Sequence, residues 1–205
     1  MKVKREVFGS MDNNCYLITD EATHQSALVD CSEWNEKMKD LIGDTDLKYV
    51  LLTHGHYDHI IGTKAVKETY GAKVAISRED APMLTSARAS LAVFCGAEQN
   101  NVTPDILLSD GDEIPLGETK LRVIATPGHT KGSVCFVAGD ALFTGDTLFR
   151  LSCGRTDFPG GSWEEMQQSL KRLSLLEGDY TVYTGHDALS TLHFEREHNP
   201  YMKEV

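Results

Sequence analysis

The chain has 205 residues, with 20 Lys and Arg against 31 Asp and Glu and a net charge of −11. Hydrophobic residues make up 40% and charged residues 25%, the balance of a globular chain with a core of its own rather than a disordered or fibrous one. The excess negative charge repels nucleic-acid phosphates. The longest charge-free runs, 49–57 and 89–97, are nine residues, against the ~20 apolar residues of a membrane span. Neither nucleic acid nor membrane is therefore an expected partner. The start, Met1-Lys2-Val3-Lys4-Arg5-Glu6, lacks the apolar stretch of a signal peptide. The five cysteines, 15, 31, 95, 135 and 153, show no C-x-x-C spacing, which reads as reduced thiols in the cytoplasm. The length suits one domain over 1–205.

In chain order, β-type runs come first: Val3 to Phe8, Tyr16 to Thr19, Ser26 to Val29 and Leu47 to Leu52. Met11-Asp12-Asn13-Asn14 reads as a polar turn between two of them. Trp34 to Ile42 carries Trp34, Met38, Leu41 and Ile42 at helical spacing. A second helix is expected over Ile60 to Tyr70, stopped by Gly71, then a strand at Val74 to Ile76. Ala81 to Gly96, rich in Ala, Leu and Met, reads as helix. Strands follow at Lys120 to Ala125, Val134 to Val137 and Ala141 to Thr144. Ser162-Trp163-Glu164-Glu165 is a capping box that opens a helix ended by Gly178. Val182-Tyr183 is a last strand and Thr191 to Glu197 a last helix. Strands in both halves, each half closing on helices, predict two face-to-face sheets with helices outside.

The chemistry concentrates at strand ends. Thr53-His54-Gly55-His56-Tyr57-Asp58-His59 follows an apolar run, and its six residues from His54 to His59 hold three imidazoles and a carboxylate. Nitrogen and oxygen donors of this kind suit zinc and similar divalent metals. His129 in Thr126-Pro127-Gly128-His129-Thr130 and His186 in Thr184-Gly185-His186 also follow β-type runs. Either alone reads as a structural loop histidine; with the first cluster both read as ligands. Asp146, after Phe143-Thr144-Gly145, adds an anionic oxygen. Asp30, after Ala27-Leu28-Val29, is either a turn residue or an acceptor for a ligand imidazole N–H. His24, His193 and His198 lack such a setting.

The order H-x-H-x-D-H, G-H-T, G-D, G-H resembles the metallo-β-lactamase superfamily over nearly the whole chain. The resemblance implies an α/β fold, the αβ/βα sandwich of two mixed sheets with outer helices, and metals at one edge. It implies that His54, His56 and His129 bind one cation, that Asp58, His59 and His186 bind a second, and that Asp146 bridges them. Two divalent ions are expected, zinc first, with iron or manganese as alternatives. Thr126 to Ser133 and Gly145 to Phe149, with Cys153 to Gly161, resemble short glyoxalase II-like hydrolases, which implies a thioester of the hydroxyacylglutathione type as substrate. Asp146 stands where the true β-lactamases usually carry Cys, so β-lactams are not the expected substrate.

The resemblance implies a metal-bridging hydroxide that attacks the carbonyl carbon, with Asp58 and Asp146 as the catalytic carboxylates. Lactones and other activated esters also fit. Cys153 to Phe158 additionally resembles persulfide dioxygenases, with a single iron on His54, His129 and Asp146. A non-catalytic binding module on the same fold is a further alternative. Val29-Asp30-Cys31-Ser32 departs from the usual V-D-P-G. Only 19 residues follow His186, and Arg196 and Lys203 there have acidic neighbours Glu195, Glu197 and Glu204. A helical glutathione-binding domain is therefore not expected, and neither is a low KM for glutathione thioesters. Substrate contacts are expected from 81–101, as lid or core helix, and from 151–161. Arg155 is either an anchor for a substrate carboxylate or the partner of Asp157.

Overall fold

The computed structural model describes residues 1–203, so Glu204 lies outside the described residues. Six strands, β1 (Lys2–Phe8), β2 (Asn13–Thr19), β3 (Gln25–Val29), β4 (Asp46–Leu51), β5 (Lys73–Ser77) and β6 (Ile106–Leu108), form one sheet in sequence order. β1, β2 and β3 pair antiparallel; β3 to β6 pair parallel. The parallel half needs crossovers, supplied by α1 (Glu36–Ile42) and by α2 (Tyr57–Ile60) with α3 (Thr63–Tyr70).

The second sheet contains β7 (Glu113–Leu116), β8 (Thr119–Ala125), β9 (Val134–Ala138) and β10 (Ala141–Gly145), all antiparallel. β11 (Leu148–Phe149) and β12 (Ser152–Cys153) make a separate hairpin. After α4 (Trp163–Ser174), β13 (Thr181–Thr184) joins β10 in parallel and β14 (Ser190–Thr191) closes the edge. α5 (Leu192–His198) and α6 (Pro200–Lys203) end the described chain.

Side-chain alternation builds the layers. On β2, Tyr16 and Ile18 point between the sheets and meet Phe136 and Phe143, while Leu17 points the other way toward Met38 and Val66 of α1 and α3. In the second sheet Ile124, Val137 and Leu142 face Met166, Leu170 and Leu173 of α4. The result is the two-sheet sandwich with outer helices that the sequence predicts. Its helices start on their caps: Asn35, Ser162 and Thr191 each accept a backbone N–H from three residues on.

Three local expectations are corrected. The helix expected over 60–70 is two helices, α2 and α3, broken at Ile61 and Gly62. At Gly62 the backbone runs against the Glu33 carbonyl, where a Cβ would clash. The helix expected over 81–96 is two short 3-10 turns, Ala81–Thr85 and Ala92–Cys95. Ser86 and Ser90 hydroxyls take the N–H groups of Ala89 and Ala92, and Leu91 turns left-handed at φ 70°, so side chains compete with the helix ladder. Finally, Asn13 and Asn14 belong to β2 rather than to a turn. No helix among the described residues is long and apolar enough to cross a membrane.

Candidate metal centre

Sheet topology brings the expected residues to one edge. The Thr53 to His59 loop leaves the end of β4, His129 follows β8, Asp146 follows β10 and His186 follows β13. Asp30 follows β3, and Asn13 opens the antiparallel β2, which puts it at the same edge. Backbone bonds lock the sheets together there: Val134 N donates to Thr53 O at 2.8 Å and Asn14 N to Gly185 O at 2.8 Å. Two glycines permit the approach. A Cβ at Gly145 (φ 47°) would run into the Thr53 side chain, and one at Gly185 would sit on Asp146 Oδ1.

Ligand-type atoms gather in three overlapping groups: His54, His56 and His129; His54, His59 and Asp146; Asp58, His59 and His186. Within each, the atoms lie within 4.8 Å of one another. His56 Nδ1 is 2.8 Å from His129 Nε2, and His59 Nε2 is 3.3 Å from His186 Nε2. Asp146 lies between the groups. Its Oδ2 is 3.5 Å from both His129 Nε2 and His186 Nε2, and its Oδ1 is 3.5 Å from His59 Nε2.

Four rings are held from behind by their Nδ1 atoms. His59 Nδ1 meets Asp30 Oδ2 at 2.9 Å, and His129 Nδ1 meets the Arg155 carbonyl at 2.7 Å. His186 Nδ1 meets the Met11 carbonyl at 2.8 Å, and His54 Nδ1 meets Thr53 Oγ1 at 3.1 Å. Anchored this way, each ring presents Nε2 inward, the arrangement that orients metal-binding imidazoles. Asp30 also accepts from Thr53 N and Thr53 Oγ1, both at 2.8 Å, so one buried carboxylate fixes the first and last histidines of the loop.

Two residues outside the sequence reading complete the frame. Asn13 Nδ2 donates to Asp58 Oδ2 at 2.8 Å and lies 3.3 Å from His59 Nε2. Asp80, buried, accepts from Gly55 N at 3.0 Å, Thr130 Oγ1 at 2.6 Å and Gly132 N at 2.9 Å, tying the loops of His54 and His129 together. A signal for Asp80 existed: it follows the end of β5 much as Asp30 follows β3. Asn13 carried none, since an Asn-Asn pair ordinarily marks a turn.

The charge balance has a clear physical pattern. Burial, then the neighbouring imidazoles, holds His54 far below its ordinary pKa, and burial with His129 holds His56 down at about 3. These two rings are neutral, the form that binds metal. Burial opposes the charged form of His59, but Asp58, Asp146 and Asp30 overcome it and raise it to about 9. In His186 burial is likewise outweighed, by Asp146 and Asp58, with a rise to about 11. The carboxylates respond in kind: despite burial, His59 and His186 lower Asp58 below the usual range and Asp146 to about 2. The second half of the site thus attracts positive charge.

His54 Nε2 and Asp146 Oδ1 are buried and without a hydrogen-bond partner. Such atoms are costly, about 1–3 kcal/mol each, unless something else bonds them. Inward-facing imidazole and carboxylate donors, with orphaned atoms among them, fit divalent cations.

The centre floors a cavity of about 640 Å³. Its walls come from Leu91 and Phe94, from Phe149 and Cys153, and from Arg155 and Phe158. Arg155 forms a bidentate pair with Asp157, at 2.6 and 2.7 Å. Arg196 does not reach this cavity: it donates to the carbonyls of Ser174, at the end of α4, and of Leu176 and Gly178 just after it.

Residues 9–186 match the Metallo-beta-lactamase superfamily. The chain is 34% identical over 179 residues to a hydroxyacylglutathione hydrolase from Pelagibacter ubique, covering 86% of this chain and 67% of that one. Its backbone superposes on the BLEG-1 B3 metallo-beta-lactamase with a TM-score of 0.90 at 29% identity, over 98% and 99% of the two chains. It superposes on TTHA1623 in a di-iron-bound form with a TM-score of 0.85 at 30% identity, over 97% and 99%.

Proposed function

We infer that this chain, which belongs to the metallo-beta-lactamase superfamily, is a hydrolase that uses two divalent cations to cleave thioesters. The observation that carries the two-cation reading is Asp146: one carboxylate within 3.5 Å of ring nitrogens from both halves of the centre, with a buried, unpartnered oxygen. In this reading His54, His56 and His129 hold one cation, Asp58, His59 and His186 hold the other, and Asp146 reaches both. When bound, such cations act as Lewis acids and make hydroxide available near neutral pH, by lowering the pKa of water from 15.7 to about 7.

The chain supplies the rest. Thr53, Asp30, Arg155 O and Met11 O fix the rings, so little reorganisation is needed at the reacting centre. Asp58 and Asp146 offset the cationic charge, and Asn13 keeps the Asp58 carboxylate oriented.

The thioester preference follows from the acids lining the cavity. With the imidazoles and both aspartates engaged, the remaining proton-bearing side chains among the described lining residues are Tyr57, Cys95, Ser152, Cys153 and Arg155. Burial, then the Cys95 thiol, pushes Tyr57 well above its ordinary value, and burial pushes Cys153 up to about 11. Neither is a competent general acid near pH 7. A thiolate, with a pKa near ~8.5, leaves without one. The hydroxyacylglutathione hydrolase relative supports the same class.

β-Lactam cleavage is the second reading, supported by the likeness to BLEG-1; its leaving nitrogen makes the greater demand on a proton donor. Zinc-loaded protein offered S-D-lactoylglutathione, simpler thioesters and a chromogenic cephalosporin in parallel separates the two. Thioester turnover at least about tenfold faster in kcat/KM is the expected result. Cephalosporin turnover without thioester turnover contradicts it.

A further inference from the structure

The walls of the cavity differ from its floor. Leu91, Phe94, Phe149 and Phe158 make them apolar and largely aromatic. Phe94 is 69% exposed and its neighbour Val93 57%. Both lie on a projecting segment that enters through Leu91 (φ 70°) and leaves through Gly96 (φ 64°). That segment is anchored at its base: Ser90 O accepts from Tyr57 N at 2.9 Å and Gln99 Nε2 donates to Met83 O at 2.7 Å. The backbone bonds between these anchors run among residues 86 to 97. An aromatic side chain is thus left in water on a tethered segment beside the catalytic floor. Exposed apolar surface of this kind marks a binding site.

The charges point the same way. Among the described residues the one Lys or Arg lining the cavity is Arg155. Its guanidinium is taken up by Asp157 and lies 3.9 Å over the Phe158 ring. It therefore extends the flat wall more than it offers a free cation for a carboxylate.

We propose that the acyl group of the substrate is apolar, an aliphatic or aromatic chain lying along Leu91, Phe94, Phe149 and Phe158. This rests on the thioesterase reading above. Biological thiol carriers are polar, so an apolar wall finds its match on the acyl side of the sulfur. A small hydroxyacyl group such as lactoyl would leave that wall wet.

The test uses one thiol, N-acetylcysteamine, carrying acetyl, lactoyl, butyryl, hexanoyl and phenylacetyl groups. With zinc-loaded full-length protein, kcat/KM should rise roughly fourfold per methylene buried, with hexanoyl and phenylacetyl far above lactoyl. Phe94→Ser should lower the hexanoyl-to-acetyl ratio by roughly threefold or more. Leu175→Ser, a change at a side chain 73% exposed and absent from the cavity lining, should leave the ratio alone. Alkyl thioethers of the same lengths have no scissile bond; calorimetry should show them binding more tightly with length and with negative ΔCp. A flat profile, or one that peaks at lactoyl, overturns the apolar-acyl assignment and leaves the thioesterase reading intact. No hydrolysis of any thioester removes the thioesterase reading instead, and the thioether titration then still decides whether the wall binds apolar chains.

Discussion

The floor and the wall of the cavity are built by opposite means. On the floor His54, His56, His59 and His129 are buried, and most rings are held from behind by a second group. On the wall, Phe94 projects into solvent from a segment whose base is tied down at Ser90 and Gln99. Positions fixed from several sides cannot shift to accommodate a substitution, whereas a tethered apolar segment can. The floor should therefore decide whether there is chemistry, and the wall which substrate receives it.

The largest effect that can break this comparison is Asp146→Ala. Among the described residues it removes the one carboxylate in reach of both halves, so one cation and more than about 10²-fold of kcat should be lost, beyond the range for outer-shell changes. Elemental analysis with steady-state kinetics reads both; retention of two ions and of the rate would mean that the floor is not arranged around Asp146.

Asp30→Ala comes next, because Asp30 touches no substrate and acts through His59 and Thr53. Zinc affinity, measured by competition with a chelating dye, should fall about 10–100-fold, while kcat at saturating zinc falls less. Asp80→Ala strips three buried donors of their acceptor. A loss of about 1–3 kcal/mol in urea unfolding is expected, with the loss of activity following the loss of fold.

A smaller effect concerns protons. His59 and His186 have pKa values raised to about 9 and about 11, so at pH 7 both carry a proton when no cation competes. Cations and protons seek the same nitrogens, so zinc uptake by chelator-treated protein should release close to two protons per chain, and affinity should rise with pH up to those values. Calorimetry in buffers of different ionisation enthalpy counts them. The smallest effect is at the wall: Arg155→Ala breaks an exposed pair worth about 0–1 kcal/mol and should change stability little.

Much of this was legible in the sequence, for one reason. The strand runs and the ligand motifs mark the same places, since each motif begins where an apolar run stops. That placed His54, His129, Asp146 and His186 at strand ends, and strand ends of one sheet edge converge. What escaped was whatever depends on partners distant in sequence. Asn13 looks like a turn residue until β2 pairs with β3 and brings it to Asp58. Asp80 looks like a surface acid until Gly55, Thr130 and Gly132 surround it. The 81–96 stretch has a helical composition, but Ser86, Ser90 and a left-handed Leu91 turn it into the wall. Composition cannot register that competition.

In this reading the floor is built for two cations acting together on a thioester. Stepwise addition of zinc to chelator-treated protein, with thioester hydrolysis read at each step, tests it most directly. Binding should saturate at two ions per chain, with most of the activity appearing with the second. Saturation at one ion per chain, with full activity already reached there, would contradict it.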